Sequence, residues 1–581
     1  MNSIARPAFT HEYDVVVLGS GAAAFAAAAT AACHGLRVLI VEKAARFGGT
    51  SAISGGAAWI HGSNQARAAG VEDSPEAMRR YLKRIIGAGY DAALVDAFIE
   101  RGHEALRWLE AHTELRYALR PLSPDYYPDE EGATDFGRAL EMVEYDGRRL
   151  GERFKDLRMP PPGMLLFGGM MVNRVDIQHF LSFRRSPKSL WHCLKLLARY
   201  GLDRLSQPRG TRLTTGNALI ARLASSAFAQ GAELWLNSAA KALIVEQGAV
   251  LGVEVQRAGG VERVRARGGV VCAMGGFAAG AIAAANRPDT GSPHLSMSPA
   301  ENDGAALRLG AAVNAASGQD LAANFFWAPV SELCHANGER ERFPHLVTDR
   351  AKPGVIAVNR AGQRFVNESN SYHYFVQAMF SGNPSAGGNA PCWLICDASA
   401  MDAYGLGLAR PKPVNNAALI DAGYLHRAAS PEALATAIGV DPQGLRATLE
   451  RFNADARDGV DRAFGKGGNS YNRYMGDPAH QPNPCLAPLS KAPYYAIRVH
   501  TGDLGSARGL LTDAQANVLD RDGAPIAGLY AAGNDMNSLM RGTYPGPGIT
   551  IGPGLTFGWI AAMHIAERLR APAALTTQRE L

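Results

Sequence analysis

The stretch 13–42, "YDVVVLGSGAAAFAAAATAACHGLRVLIVE", decides the fold of this chain. Residues 13–18 are mostly apolar and β-branched, which predicts a buried parallel strand. An Ala-rich helix follows from Ala22 to about Cys33, and residues 37–41 predict a second strand that ends at Glu42. Strand, glycine turn, helix, strand and acid in this order form the βαβ unit that binds a dinucleotide. The sequence therefore predicts an α/β fold built on a Rossmann-like nucleotide-binding domain.

Each end of this unit has residues suited to a nucleotide. Gly19 allows the tight turn after the strand, and Gly21 lets the backbone approach a pyrophosphate at the helix N-terminus. Glu42 ends the second strand, where it can accept hydrogen bonds from the ribose hydroxyls. The predicted nucleotide contacts of the unit are Gly19, Gly21, Ala22, Ala23, Glu42 and Lys43.

A loop rich in glycine and hydroxyl groups follows the second strand and distinguishes FAD from NAD. Its sequence, "GGTSAISGG" over 48–56, suits a pyrophosphate and a flavin better than a nicotinamide. No second fingerprint occurs later, so we expect no separately bound NAD(P)H. The strand pattern at 269–277 ends in two glycines, which indicates another close approach of backbone to the cofactor. The predicted cofactor contacts of these loops are Gly49, Thr50, Ser51, Ser54, Gly55, Gly56 and Gly275.

The composition restricts the classes of function. The chain has 581 residues, enough for two or more domains, and its 47% of hydrophobic residues is typical of a globular protein. A net charge of +5 is small for this length and does not indicate nucleic-acid binding. Seven cysteines without metal-type spacing favour a reducing compartment and argue against a Cys-ligated metal. With no signal-like N-terminus and no long apolar run, a cytoplasmic protein is expected.

The segment 160–200 differs from the rest of the chain. It joins the apolar run "PPPGMLLFGGMM" to a helical stretch that mixes Leu, Trp and Phe with Arg and Lys and has almost no acid. Such a basic amphipathic segment can lie on an anionic membrane surface. The sequence favours the other interpretation, a surface insertion whose apolar face packs on the core. Peripheral contact with the inner face of the membrane stays open as the alternative.

Composition shifts also divide the chain into domains. We expect a FAD-binding domain over 1–295 with a helical insertion at about 60–210, because strand patterns return after that insertion. A substrate (catalytic) domain of α+β type is predicted over 296–487, and residues 488–581 return to the FAD-binding domain. Within the substrate domain, "GVIAVNRAGQRFVNES" (354–369) predicts a β-hairpin that turns at 360–362.

A Tyr followed by alternating Gly and Pro stands near the end of the chain, at 541–554. Gly lets the backbone approach a ligand, and N–H groups at a helix start can hold an electron-rich atom. We expect the first half of this loop to polarise a ketone and the second half to hold a flavin ring. The predicted flavin contacts in and before this loop are Gly533, Asn534, Ile549, Gly552 and Leu555.

Four motifs together resemble the 3-ketosteroid Δ1-dehydrogenases, which are similar to the fumarate reductase-like FAD flavoproteins. They are "RFVNESNSY", "PNPCLAPLSKAPYYA", "GLYAAGND" and "TYPGPGITIGPGLTFG". The resemblance implies that Tyr544 and the N–H of Gly548 hold the steroid ketone, and that Tyr372 removes the proton next to it. It also implies a supporting tyrosine in the loop "SPDYYPDEEGA", for which Tyr126 is preferred to Tyr127. Members with covalent flavin have a His in the "GGTS…SGG" loop; this chain has none, so noncovalent FAD is expected.

The resemblance implies an enzyme that desaturates the 1,2 bond of 3-ketosteroids, passes hydride to flavin nitrogen 5, and gives electrons to an external acceptor such as a quinone. A 4(5)-dehydrogenase or a desaturase of simpler cyclic ketones would use the same ketone loop. A fumarate reductase-like enzyme would need cations that converge on carboxylates, to which Arg541 could contribute. A flavin-binding redox sensor without turnover is the alternative from another class. No metal site is expected.

Overall fold

The computed structural model describes residues 8–184, 186–382 and 388–571. The helices, in chain order, are α1 (Ala22–Cys33), α2 (Gly49–Ala52), α3 (Asn64–Ala68), α4 (Pro75–Ile86), α5 (Ala92–His112), α6 (Arg174–Ser182), α7 (Pro187–Asp203), α8 (Thr215–Ala229), α9 (Gly280–Ala285), α10 (Ala305–Ala311), α11 (Tyr372–Phe380), α12 (Ala398–Tyr404), α13 (Ala417–Asp421), α14 (Pro431–Ile438), α15 (Pro442–Asp458), α16 (Ser470–Met475) and α17 (Ile551–Arg570).

The strands, in chain order, are β1 (His11–Leu18), β2 (Val38–Val41), β3 (Ala58–Trp59), β4 (Tyr117–Leu119), β5 (Ala139–Met142), β6 (Tyr145–Asp146), β7 (Arg212–Leu213), β8 (Glu233–Trp235), β9 (Ala239–Glu246), β10 (Ala249–Arg257), β11 (Gly260–Cys272), β12 (Leu295–Ser296), β13 (Phe325–Cys334), β14 (Arg340–Pro344), β15 (Val355–Val358), β16 (Cys392–Cys396), β17 (His426–Ala428), β18 (Tyr494–Ser506), β19 (Asn517–Leu519) and β20 (Pro525–Ala531).

The first sheet is the predicted nucleotide-binding sheet. Its strands lie in the order β19-β20-β11-β1-β2-β8, and β10 and β9 extend it from the outer part of β11. At its centre Val16 of β1 pairs in parallel with Val270 of β11 and with Leu39 of β2. Because helices cover both faces of such a parallel sheet, β1 is buried from residue 13 to its end. The carboxyl ends of β1, β2 and β11 therefore meet at one edge.

Small residues let the two long helices beside this sheet approach each other closely. The side chains of α1 from Ala22 to Ala32 are all buried. A β carbon on Gly558 of α17 would lie 2.4 Å from the carbonyl oxygen of Ala23, so this contact requires glycine. The close packing brings the start of α17 next to the start of α1, and with it the loop that precedes α17.

The second sheet forms the core of the substrate domain. Its main strands lie in the order β14-β13-β18-β16-β15, and β12 and β17 also pair with β18. Strand β16 is buried on both faces: Leu394 belongs to one hydrophobic cluster, and Trp393 and Ile395 to another. Strand β18 follows residue 487 yet hydrogen-bonds within this second sheet, and the first sheet resumes at β19. The division at 487 stays a prediction.

Two local expectations have clear outcomes. The hairpin predicted at 354–369 is wrong, because β15 pairs with the distant β16 and residues 359–369 form a turn and irregular backbone. The basic amphipathic segment forms the helices α6 and α7, which contact each other. Within 8–184, 186–382 and 388–571, no helix combines the length and apolarity needed to cross a bilayer.

Candidate active site

The turn from β1 to α1 leaves backbone donors free where a pyrophosphate is predicted. Gly19 has a φ of 100°, and a β carbon there would lie 2.2 Å from the carbonyl oxygen of Ala273. The Ala22 N–H donates to Ser51 Oγ at 3.0 Å. The next two N–H groups, of Ala23 and Ala24, are buried and have no hydrogen-bond partner among the described residues. Buried free donors at a helix start suit an anion.

Glu42 lies at the carboxyl end of β2, and its carboxylate is already partly bonded. The Ala44 N–H donates to one oxygen at 2.8 Å, and the Ser20 hydroxyl donates to the other. Burial raises the pKa of Glu42, and the bond from Ser20 opposes that shift. The neighbouring Lys43 pairs with Asp303 at 3.0 Å. The contacts of Glu42 and Lys43 with the cofactor stay predictions.

The predicted glycine- and hydroxyl-rich loop folds over the same edge of the sheet. It begins with the short helix α2, whose Thr50 hydroxyl accepts from Asn302 Nδ2 at 3.0 Å. The Ser54 hydroxyl donates to the Ser51 carbonyl oxygen at 2.8 Å and accepts from the Gly56 N–H at 3.0 Å. Together with the β1–α1 turn, the loop surrounds the free donors of α1. The predicted contacts brought together here are Gly19, Gly21, Ala22, Ala23, Gly49, Thr50, Ser51, Ser54, Gly55 and Gly56.

A narrow cavity lies between the 533–539 loop and the start of α17. Three of the predicted flavin contacts line it, namely Gly533, Asn534 and Ile549. Gly552 and Leu555, which were also predicted, lie on the first turns of α17 and are not among the residues that line this cavity. Other lining residues that the sequence did not single out are Phe326, Ser506, Met536, Asn537, Ser538, Leu539, Thr550, Pro553 and Gly554.

Asp535 joins two loops at this cavity and was missed from the sequence. Its carboxylate accepts from the N–H of Met274 at 2.5 Å and from that of Gly276 at 2.9 Å. Burial raises its pKa to about 6, although both backbone bonds favour the charged form. Gly275, predicted as a cofactor contact, lies between these two donors. Asp535 therefore holds the end of β11 against the loop that lines the cavity.

Three tyrosines that are far apart in the chain meet in one buried cluster, which we call the tyrosine triad. Tyr126 Oη donates to Tyr372 Oη at 3.3 Å. The ring of Tyr544 stacks on that of Tyr126 with a centroid distance of 5.5 Å and lies 5.1 Å from that of Tyr372. These are the three tyrosines predicted from the sequence, and the fold brings them together. Tyr127 is outside the triad; its N–H bonds to the hydroxyl of Tyr81 at 3.3 Å.

The members of the triad come from two loops and the start of a helix. Tyr126 lies in the loop between β4 and β5, Tyr544 in the loop before α17, and Tyr372 is the first residue of α11, after the capping hydroxyl of Ser371. Burial raises the pKa of Tyr372 and Tyr126 well above 10 and raises that of Tyr544 to about 12. A base in this triad must therefore be ionised with help from neighbouring groups.

Gly548 presents a free donor a few residues after Tyr544. Its φ is 102°, and a β carbon would lie 2.5 Å from the carbonyl oxygen of Ala57, so only glycine fits without strain. The Gly548 carbonyl accepts from the N–H of Gly552 at 2.9 Å. Its own N–H has no partner in the part of the chain that the structure describes. Such a donor can bind a carbonyl oxygen and stabilise an oxyanion.

The sequence did not predict three further residues around the triad, because no local sequence pattern distinguishes them. Tyr471 of α16 packs on Tyr126 with ring centroids 4.9 Å apart, and Phe326 of β13 packs edge-on against Tyr544 at 5.5 Å. His373 is fully buried beside Tyr544; its Nδ1 accepts from the Trp327 N–H at 3.1 Å, and burial lowers its pKa to about 3. Their position next to the triad follows only from contacts with residues distant in the sequence.

The chain is similar to a known protein family and to characterised proteins. Residues 14–551 match the FAD binding domain family. The chain is 37% identical over 572 residues to the 3-oxosteroid 1-dehydrogenase of Mycobacterium tuberculosis, which covers 96% of this chain and 99% of that protein. It is 38% identical over 568 residues to the 4-oxocyclohex-2-ene-1-carboxylate 5-dehydrogenase of Sinomonas cyclohexanicum, which covers 95% of this chain and 94% of that protein.

A solved structure is also similar over almost the whole chain. It is the 3-ketosteroid Δ1-dehydrogenase of Sterolibacterium denitrificans in complex with 1,4-androstadiene-3,17-dione. The TM-score is 0.89 at 38% identity, with 96% of this chain and 100% of that chain covered. The chain belongs to the FAD binding domain family and, within it, to the family of the 3-oxosteroid 1-dehydrogenases. The predicted α/β fold, the FAD cofactor and the oxidoreductase class are thereby confirmed. The free donors of α1 suit the pyrophosphate of FAD, and the cavity at α17 lies where its flavin ring is predicted.

Proposed function

From this family membership we propose that the chain catalyses the FAD-dependent 1,2-desaturation of a 3-ketosteroid. The observation that carries the proposal is the buried tyrosine triad, in which Tyr126 Oη meets Tyr372 Oη at 3.3 Å. The free N–H of Gly548 belongs to the same loop as Tyr544. A tyrosine base with a neighbouring hydroxyl, together with an N–H that can bind an oxyanion, suits the removal of a proton next to a ketone.

The ketone loop would bind the steroid carbonyl. The Tyr544 hydroxyl and the Gly548 N–H would each donate a hydrogen bond to the C3 oxygen. As the proton leaves C2, negative charge moves onto this oxygen, so both donors stabilise the enolate-like transition state more than the ground state. Removing one such donor typically costs about 10²–10³ in rate.

Tyr372 would act as the base and Tyr126 as its support. The C2–H bond breaks, the proton joins Tyr372 Oη, and Tyr126 donates a hydrogen bond that favours the ionised form of Tyr372. Bound FAD would accept the hydride that leaves C1 as the 1,2 double bond forms. The protein then contributes position and electrostatics, because the loops that hold the ketone and the flavin are continuous at α17.

A desaturase of smaller cyclic ketones is a second candidate, since the Sinomonas cyclohexanicum relative is a 4-oxocyclohex-2-ene-1-carboxylate 5-dehydrogenase. That substrate class has a carboxylate, which would need a cation near the bound ring. The residues that pack on the triad are aromatic, Phe326 and Tyr471 among them. These rings support an apolar polycyclic substrate, and the buried cation nearest to them, Arg350, donates to backbone carbonyl oxygens.

One set of incubations separates the candidates. Purified holoenzyme and an artificial acceptor are incubated with 4-androstene-3,17-dione, with a 4,5-saturated 3-ketosteroid, and with 4-oxocyclohexanecarboxylate, and the products are identified by mass spectrometry and NMR. A 1,4-diene from the first supports the proposal. A 4-ene from the second without any 1-ene would indicate 4(5)-dehydrogenation, and turnover of the keto acid alone would indicate the second candidate.

Anaerobic mixing with substrate tests the redox role directly. Steroid should bleach the oxidised flavin in a single turnover, whereas fumarate should not reoxidise the bleached enzyme. Retained fumarate turnover without bleaching by steroid would contradict the proposal. Absence of bleaching by any ketone would leave only a flavin-binding protein without turnover. Reoxidation by a soluble quinone would identify the class of the external acceptor.

We also propose peripheral contact with an anionic membrane through α6, α7 and the loop before them. One side of α7 packs on the protein, while a second apolar stripe faces solvent. Trp191 is 71% exposed and Leu202 68%, and Leu194 lies between them on the same side of the helix. Phe167 and Leu205 extend this exposed apolar surface, at 66% and 83%. Contiguous exposed apolar area of this kind indicates an interaction surface.

The charges beside this stripe suit anionic lipid. Lys188, Lys195 and Arg204 are exposed on the same helical hairpin. Apolar side chains flanked by lysine and arginine are the pattern of an interfacial helix.

Flotation with vesicles that contain anionic lipid should recover the holoenzyme, less so at high salt and less with zwitterionic vesicles. The variant W191Q/L205Q should lose flotation, whereas V261Q/V460Q, at exposed apolar positions on other surfaces, should not. Equal flotation of both variants would contradict the proposal. The cytoplasmic location stays a prediction.

A further inference from the structure

A buried arginine without a carboxylate partner lies beside the tyrosine triad. Arg350 is 3% exposed, and all three hydrogen bonds of its guanidinium end on backbone carbonyl oxygens. Its Nε donates to His345 at 2.7 Å, and its Nη1 donates to Glu368 at 2.7 Å and to Asn370 at 3.0 Å. Buried cations are ordinarily paired with an anion, so this arrangement needs an explanation.

The carboxylates nearest to Arg350 are bound to other side chains. The Asp349 carboxylate pairs with His345 at 2.6 Å. Glu368 and Asp461 both pair with Arg364 at 2.8 Å, and Glu368 also lies 3.5 Å from the ammonium of Lys466. Among the described residues, Arg350 therefore has no carboxylate within ion-pair distance. Its charge interacts with the carboxylates of Asp349 and Glu368 only from a longer distance.

The contacts of Arg350 point towards Tyr372. The two carbonyl groups held by its Nη1 belong to the loop that ends at the base, with Asn370 two positions before Tyr372. The guanidinium also lies over the ring of Phe375, 5.0 Å from its centroid, on the same helix as Tyr372. The guanidinium of Arg350 therefore contacts both the loop that precedes Tyr372 and the helix that Tyr372 begins.

Tyr471 connects the cation to the triad. Burial lowers the pKa of Arg350, and the strongest opposing influence is Tyr471, ahead of Asp349, Glu368 and Tyr126. Conversely, Arg350 lowers the pKa of Tyr471 against the effect of burial. The ring of Tyr471 packs on Tyr126, whose hydroxyl bonds to that of Tyr372. The influence of Arg350 thus reaches Tyr471, which is in contact with Tyr126, the hydrogen-bond partner of the base.

The other groups that face the triad do not supply this charge. His373 and Tyr544 face Tyr372, and His373 is held neutral because burial lowers its pKa to about 3. Arg120 acts weakly on Tyr126 but has Glu141 3.6 Å away. Of the cations that the described residues place around the triad, Arg350 is the one that is buried and forms no direct ion pair.

We propose that Arg350 is a positioning residue for the base: it fixes the 368–370 loop that ends at Tyr372, and its charge, which forms no direct ion pair in the described parts of the chain, favours the ionised form of the tyrosine triad. This inference rests on the proposed role of Tyr372. The effect of the charge grows with burial, because water is absent to screen it. The base of the reaction is then ionised at a pH where an isolated buried tyrosine would be neutral.

Two substitutions separate charge from geometry. R350Q keeps an NH2 group that can donate to the carbonyls of Glu368 and Asn370 but has no charge, whereas R350K keeps the charge with fewer donors. For R350Q, we expect the acid limb of the kcat/KM profile to move up by about one pH unit, so that activity falls about tenfold at low pH and recovers at high pH. For R350K, we expect a lower kcat with the limb unmoved.

Arg222 provides a matched control. It is also buried, and its guanidinium also donates to three backbone carbonyls, those of Val143, Glu114 and Glu144, away from the triad. R222Q should lower thermal stability without moving the pH profile. If kcat/KM of R350Q falls by the same factor at every pH, the inference is overturned. If R350Q does not fold, R350K decides: an acid limb that moves although the charge is kept would also overturn the inference. Wild-type enzyme that does not desaturate ketosteroids would instead contradict the proposed function itself.

Discussion

The backbone N–H of Tyr126 donates a hydrogen bond to the carbonyl oxygen of Pro545 at 2.8 Å. The bond joins the loop of the supporting tyrosine to the loop that would hold the ketone, although more than 400 residues separate them. The hydroxyl of Tyr81 donates to the same oxygen at 2.7 Å. Donor, base and support are therefore fixed relative to one another before a substrate binds, which is the condition for effective proton transfer.

Tyr81→Phe tests this connection. It removes one of the two bonds to Pro545 O and leaves the other, so the ketone loop keeps its fold but loses part of its restraint. We expect a loss of stability of about 1–2 kcal/mol and a several-fold lower kcat, with bound FAD unchanged. Steady-state kinetics and thermal unfolding check it. Tyr90→Phe, a half-buried tyrosine near the end of α4, serves as control; an equal effect there would contradict the role of Tyr81.

Tyr372→Phe removes the predicted base hydroxyl. Steroid should no longer bleach the flavin at a measurable rate, because general base catalysis contributes about 10²–10⁴. FAD content should stay at the wild-type level, since Tyr372 lies outside the loops that hold the cofactor. Tyr126→Phe, which removes only the supporting bond, should lower the rate about tenfold. Stopped-flow bleaching measures both; Tyr127→Phe should be near wild type, and normal bleaching by Tyr372→Phe would exclude it as the base.

Glu42→Gln tests the nucleotide end of the site. The predicted bonds to the ribose hydroxyls are charge-assisted, and their loss should weaken FAD binding by about 10- to 100-fold. The shape of the residue is kept, so the Ala44 N–H can still donate to it. Isothermal titration of apoprotein with FAD measures the change. Glu567→Gln, at an exposed position of α17, is the control, and unchanged affinity in Glu42→Gln would remove Glu42 from the site.

Asp535→Asn tests the buried carboxyl group that joins the cavity loops. Burial raises its pKa from 3.8 to about 6, so folding favours the protonated form. The stabilising contribution of this proton is complete below about pH 4 and is lost as the pH rises through 6. The variant has no such proton and does not lose this contribution. Between pH 4 and 7, the melting temperature of the variant relative to that of wild type should therefore rise, by an amount equivalent to roughly 3 kcal/mol at most. Asp522→Asn, at an exposed turn, should show no such gain.

The sequence was sufficient where a local pattern determines the structure. The bounds of α1 agree with the Ala-rich stretch, and β1 and β2 with the two apolar runs, because a strand, a glycine turn and a helix are each encoded by neighbouring residues. Tyr126, Tyr372 and Tyr544 were found through motifs, and their contacts within the triad follow from the fold. None of them could have been distinguished by residue type alone among 18 tyrosines.

Where structure depends on distant partners, the sequence did not suffice. The hairpin expected at 354–369 did not form, because β15 pairs with β16 and the residues after it place Arg364 and Glu368 in a buried ion pair. Arg350 looks like any arginine in the sequence; only the other partners of the nearby carboxylates show that it forms no direct ion pair within the described residues. Tyr471 is likewise defined by a ring contact with a residue more than 300 positions away.

Gly548→Ala tests the predicted oxyanion donor most directly. At a φ of 102° a side chain is strained, and its β carbon would lie 2.5 Å from Ala57 O, so the backbone of the ketone loop must move. Because a displaced N–H no longer reaches the ketone oxygen, we expect kcat/KM to fall about 10²–10³-fold. The flavin should stay bound, because the donors of α1 and the 533–539 loop hold it independently of this N–H.

A second glycine separates this effect from backbone strain alone. Gly439 ends α14 with a φ of 71°, and a β carbon added there would meet no atom within 4 Å, so Gly439→Ala costs conformational strain without a clash. It should lower the melting temperature and leave kcat/KM within about twofold. If Gly548→Ala loses stability and FAD to the same extent as activity, its role is structural. If activity falls while the flavin spectrum and the melting temperature stay near those of Gly439→Ala, the N–H of Gly548 acts on the ketone.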